Sequence, residues 1–241
     1  MSKTSKPAGY ILYKGKGFNG KPIVVIATLH SENVKTGDMV QIWILIENID
    51  PVTGTNEGFD VVICGTCPHR SKASGGAGTC YVNVGQAPGA IWRAYKNGNY
   101  PMWDGTDAQL EWMFSGRATR FGAYGDPVLI PVDLVARIAS KSKKWSGYTH
   151  AWTTSPAYRD YFMASVDSVR ERENAASHGW RTFRIGQDPI DGEIACPASE
   201  EAGKKTTCER CGLCAGAERQ AKDIVIRPHG RSGKRIALSM V

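Results

Sequence analysis

The sequence lacks the long apolar stretch that a membrane helix requires. No run approaches the eighteen or more apolar residues that span a bilayer. A signal peptide's apolar segment is missing too, since Met1 to Tyr10 is mostly Lys, Ser, Thr, Pro and Gly. There is no repeat of fixed period and no long low-complexity run. Helix-turn-helix, finger and RNP-like patterns are absent, so no element for reading nucleic-acid sequence is legible. Nor is there an even number of cysteines: seven cannot all pair, which excludes a complete internal disulfide framework. The expectation is a soluble, cytoplasmic, reduced protein without a membrane partner, in which clustered thiols serve metal.

What is present suits one α/β domain. The 241 residues are 41% hydrophobic and 22% charged, which excludes global disorder. Lys and Arg number 30 against 23 Asp and Glu, and this excess suits an anionic partner such as nucleic acid. The basic residues are dispersed. Lys141, Lys143 and Lys144 form a short run, and Arg227, Arg231, Lys234 and Arg235 gather near the C-terminus. Residues 1–20 read as a polar arm, and 21–241 as a single barrel-like domain with metal-binding loops at 64–80 and 196–214.

Strand-like runs are predicted at Ile23–Thr28, Met39–Ile46, Thr119–Tyr124, Tyr148–Thr153, Met163–Val166, Arg181–Ile185, Glu193–Ala195 and Asp223–Arg227. Helices are predicted from Pro88 to Tyr95, Asp107 to Phe114, Val132 to Ser140, and from the cap Ser168 to about Ser177. Strands alternating with helices point to parallel βα units in an incomplete or degenerate TIM-like barrel.

Two cysteine groups carry the chemistry. Cys64-Gly-Thr-Cys67 followed by Cys80 offers three thiolates and leaves one coordination position open. His69 is near enough in sequence to close that site. Cys196, Cys208, Cys211 and Cys214 offer four, the last three at the two-residue gaps common in iron–sulfur ligation. Zinc accepts the same four donors. Further candidates lie at strand ends, where parallel sheets bind ligands. They are Arg120, the Gly122–Pro127 turn, His150, Ser165, Asp167, Arg181, Arg184 and His229.

Several motifs together resemble an uncharacterised family of cysteine-rich bacteriophage proteins. They are Lys35-Thr-Gly-Asp-Met-Val-Gln41, Cys64-Gly-Thr-Cys67-Pro-His-Arg70, Cys80-Tyr-Val-Asn-Val-Gly85, Gly122-Ala-Tyr-Gly-Asp-Pro127, Gly147-Tyr-Thr-His150, Gly179-Trp-Arg-Thr-Phe183 and Cys196-Pro-Ala-Ser199. That resemblance places the protein in the host-cell cytoplasm and implies no particular activity. More remotely, the chain resembles the radical S-adenosylmethionine barrels. There three cysteines hold a 4Fe-4S cluster whose open iron binds S-adenosylmethionine. By that resemblance Cys64, Cys67 and Cys80 hold such a cluster, with gaps of two and twelve residues in place of the compact loop of that superfamily. Gly125 and Asp126, with Tyr81 beside Cys80, then contact the cofactor. Cys196, Cys208, Cys211 and Cys214 hold an auxiliary cluster. The leading expectation is an iron–sulfur protein, radical S-adenosylmethionine-like if catalytic, acting on an unknown substrate. The alternative is a noncatalytic nucleic-acid-binding protein stapled by zinc or iron–sulfur.

Overall fold

A computed structural model describes residues 7–228. Its strands form two five-stranded sheets. The first holds β1 (Gly9–Lys16), β2 (Pro22–Thr28), β3 (Val40–Ile46), β4 (Ala118–Tyr124) and β5 (Lys144–Ser146), in that order. β1, β2 and β3 pair antiparallel, and β3, β4 and β5 pair parallel. The second sheet holds β6 (Tyr148–Thr149), β7 (Met163–Val166), β8 (Thr182–Ile185), β9 (Glu193–Ala195) and β10 (Asp223–Ile226). Its order is β6-β7-β8-β10-β9, and every pair is parallel. Only Gly147 separates β5 from β6. Across it, β3, β4, β5–β6, β7, β8 and β10 follow one another in chain order. The class is α/β with parallel sheets and no closed barrel, because β1 and β9 end the two sheets without pairing with each other.

The helices are α1 (Pro51–Asn56), α2 (Val61–Cys64), α3 (Ala87–Lys96), α4 (Asp107–Phe114), α5 (Val132–Lys141), α6 (Val169–Ser177) and α7 (Cys208–Cys211). α5 shows why they pack as they do. Leu134, Val135, Ile138 and Ala139 recur at helical spacing and are all buried. Thr106 and Ser168 cap α4 and α6 by accepting from the amides of Gln109 and Glu171. All seven residues of β3 are buried, as expected for a strand covered on both faces. The main core gathers β1 to β4 with α2 to α5. A separate cluster of Met163, Cys196, Ala198, Ile224 and Ile226 packs the second sheet against the C-terminal cysteine segment.

Two expectations are corrected. The segment read as a polar arm contains β1, whose Tyr10, Ile11 and Leu12 are buried against β2. Pairing with an apolar neighbour ordered a stretch whose own composition is polar and glycine-rich. The strand expected over Tyr148–Thr153 stops after Thr149. The His150 amide donates to Asp126 and the Ala151 amide to Thr149 Oγ1, so neither is left for the ladder. No described helix is long and apolar enough to cross a membrane.

Candidate metal centre

Side chains alternate across a strand, so every second residue of each parallel strand faces the same side. Arg120, Gly122 and Tyr124 of β4 do so, followed by Ser146, Tyr148 and His150 along β5–β6. Ser165 of β7, Phe183 and Ile185 of β8, and Ile224 and Ile226 of β10 continue the row. Together they line a cavity of about 370 Å³. All seven cysteines line the same cavity, and all are free thiols.

The first three thiols come from the loop after β3. α2 is a single turn that delivers Cys64, and Gly65 at φ 53° ends it. The Cys67 amide then donates to the Cys64 carbonyl. The chain folds back so that the Cys80 amide donates to the His69 carbonyl at 2.8 Å. Asp60 fastens the loop by accepting from the amide and hydroxyl of Ser71 at 2.6 and 2.9 Å. Arg70 donates to the carbonyls of Cys67 and Ser74. Sequence inspection missed Asp60 and Ser71, because a loop clasp eleven residues long has no periodic signature.

The other four thiols sit on a segment tied down from several directions. The amides of Cys208 and Glu209 donate to the carbonyls of Lys35 and Thr36. The Cys196 amide donates to Val225 of β10, and the Gly147 amide to the Cys214 carbonyl. Arg181 lies under the segment and donates to the carbonyls of Leu213, Ala215, Ala221 and Lys222 at 2.6 to 3.0 Å.

Burial and neighbouring thiols set the electrostatics of Cys64, Cys67 and Cys214. Burial pushes Cys64 well above the ordinary thiol range, and the charges of Cys67 and Cys80 push it further. Burial pushes Cys67 up to about 12, with Cys80 adding to it. Burial likewise takes Cys214 to about 12, opposed by a hydrogen bond from Tyr148 and reinforced by Cys196, Cys208 and Cys211. Cys64 thus feels the other two thiols of its loop, and Cys214 the other three of its segment. Thiols held this way ionise readily only beside a cation, which a bound metal supplies. A donor set of three plus four thiols fits iron–sulfur ligation. A single tetrahedral zinc would gather sulfurs to about 3.8 Å of one another. Among the described residues, no three cysteine sulfurs lie within 4.8 Å of one another.

The remaining candidates separate clearly. Gly125 has φ 82°, and a Cβ there would fall 2.7 Å from Ile44 Cβ, so only glycine lets β4 turn against β3. Asp126 lines the cavity, but its carboxylate accepts from the Val128 amide, the Thr149 hydroxyl and the His150 amide. It therefore staples the ends of β4 and β6. Burial raises it to about 6 against the pull of those bonds. Tyr81 Oη accepts from Arg120 Nη2 at 2.8 Å, and Arg120 Nε is buried without a partner.

Three expectations change here. His69 does not serve as fourth ligand to the first cysteines: its nitrogens lie 2.7 Å from Thr79 Oγ1 and 2.9 Å from Asp167 Oδ1. Arg184 does not line the cavity. Its guanidinium makes a two-pronged pair with Glu193 at 2.8 and 2.6 Å, because a buried cation needs a buried partner. Asp167 reaches the cavity only through His69 and His150. His229 lies outside the described residues, as do Arg231, Lys234 and Arg235. Arg227, the fourth of the C-terminal cations, donates to Asp188 and to the Gln187 carbonyl. The chain matches no known protein family, no curated protein and no solved structure at a significant level.

Proposed function

We propose that this is an iron–sulfur protein of the phage-type family it resembles, built on a degenerate, open relative of the TIM-like barrel and akin to the radical S-adenosylmethionine enzymes. One observation carries this: seven free thiols, from two loop segments that contribute three and four, line one cavity walled by successive parallel strands. Cluster ligands sit on separate irons and need not gather around one ion, which agrees with the lack of any three cysteine sulfurs within 4.8 Å of one another among the described residues.

Cys64, Cys67 and Cys80 would hold a cluster with one iron open, and Cys196, Cys208, Cys211 and Cys214 an auxiliary one. In the superfamily resembled, a cluster of the first kind binds S-adenosylmethionine and supplies the electron for its cleavage. The chain's own residues shape the rest. Phe183, Ile185, Ile224 and Ile226 give the cavity an apolar wall that excludes water. Arg120 presents a fixed positive charge and an unpartnered Nε, suited to an anionic group on the substrate. Gly125 permits close backbone approach, and Asp126 fixes the main chain at His150.

Anaerobic purification tests the proposal. Brown protein with iron and acid-labile sulfide is expected, and zinc without iron overturns it. The reduced protein is expected to cleave S-adenosylmethionine to 5′-deoxyadenosine. If iron is present and no cleavage occurs, the radical assignment fails and a redox or structural cluster stands. Steep salt-dependent retention on nucleic acid, without cleavage, would favour the nucleic-acid alternative.

A further inference from the structure

A second kind of donor set lies beside the cysteines and uses none of them. His69 comes from the first cysteine loop, His150 follows β6, and Asp167 follows β7. One ligand atom from each lies within 4.8 Å of the other two. His69 Nε2 is 2.9 Å from Asp167 Oδ1, and His150 Nε2 is 4.0 Å from Asp167 Oδ2. The imidazole centroids are 5.7 Å apart and their planes cross at 69°. Donors around one ion at about 2.1 Å sit about 3 to 3.4 Å apart, so the spacing brackets what coordination requires.

The hydrogen bonding points the same way. His150 Nε2 is buried without a partner and aims at the carboxylate. His69 Nε2–H donates to Asp167 Oδ1 at 2.9 Å, since a carboxylate only accepts, and Nδ1 meets the Thr79 hydroxyl at 2.7 Å. A metal at Nε2 would replace that proton, and the Thr79 hydroxyl would then accept from Nδ1–H, the outer hydrogen bond usual for metal-ligating histidines. The Asp167 backbone is itself fixed, because its amide donates to Glu171 Oε2 at 2.7 Å.

We infer that His69, His150 and Asp167 form a mononuclear site for a divalent first-row transition metal, with its remaining coordination positions open to the cavity. Two imidazoles and one carboxylate with open positions suit Fe(II) and also accept Zn(II) or Co(II). The ion would clamp the first cysteine loop to the ends of β6 and β7. It would also place an exogenous ligand beside the cysteine-lined wall. The inference needs no cysteine and does not depend on the iron–sulfur assignment.

Cobalt(II) is the probe. The full chain, purified anaerobically and treated with excess Co(II), is desalted, and its cobalt is counted per chain. The wild type is expected to hold one equivalent more than His150→Ala and Asp167→Asn. The wild-type-minus-variant spectrum should show weak d–d bands without thiolate charge transfer. Equal cobalt in wild type and both variants overturns the inference, and so does a difference spectrum dominated by thiolate charge transfer. Circular dichroism checks folding. Asp167→Asn, nearly isosteric, keeps the comparison valid if His150→Ala unfolds. Iron and sulfide content, read on the same samples, reports separately on the cysteines.

Discussion

Arg184 and Glu193 show how one polar residue in a strand acquires its role from a partner nine positions away. Their side chains are 7% and 0% exposed, so neither charge is tolerable alone. Burial pushes the Glu193 carboxyl up, but the bonds from Arg184 and the Ile190 amide outweigh it and hold it below the ordinary glutamate value. A depressed acid stabilises the fold above its unfolded pKa, and that contribution is lost as pH falls through the depressed value. Acid unfolding is therefore expected to begin earlier in wild type than in an Arg184→Met/Glu193→Leu pair, which has no such proton to take up. Glu193→Gln alone leaves Arg184 buried and unpaired, and should cost about 3–5 kcal/mol in urea denaturation at neutral pH. Gly147 is a second test at this scale. A Cβ there would sit 2.5 Å from Phe162 Cδ1. Gly147→Ala should destabilise by about 1–3 kcal/mol through overpacking at the joint between the sheets.

Among the elements, the C-terminal cysteine segment depends most on a residue outside it. α7 is one turn long, too short to hold its cysteines by helix formation alone. Arg181 supplies order instead, through four carbonyls on both sides of Cys214. Arg181→Met removes those bonds and leaves the carbonyls inside. Under the iron–sulfur proposal it is expected to lower iron at the four-thiol set while the Cys64 set keeps its share. Iron and sulfide counts per chain check this, and equal loss from both sets would show that Arg181 supports the whole sheet. The hairpin of β1 and β2 carries the opposite lesson. Its pairing brings order to Gly9–Lys16, in which only the first four residues are buried.

At the scale of the molecule, strands that follow in chain order turn alternate residues toward one cavity and bring the two cysteine loops to its walls. Residues 64 and 214 therefore face the same space. If the three-plus-four division is right, Cys64→Ala/Cys67→Ala and Cys208→Ala/Cys211→Ala should each remove only their own portion of iron, and each should lower Tm. Loss of all iron from either pair would show that the thiols serve one shared centre. Under the iron–sulfur proposal, stripping the metal from wild type should lower Tm by more than either pair does, because metal binding and loop ordering are coupled.

The sequence by itself determined the elements whose signals are local. β3 was legible because a continuously apolar run is what a strand covered on both faces requires. α4 and α6 were legible because their caps and first turns lie within four residues of one another. The division of the cysteines into three and four rests on their spacing alone and belongs to the proposal. Only the tertiary structure decided the rest. It turned Asp126 into a staple, made Arg184 the partner of Glu193, and drew His69 away from the cysteines toward Asp167, ninety-eight positions away. These roles depend on which strands become neighbours and which side of each faces inward. That is fixed by parallel pairing across long crossovers, and no short window of sequence contains it.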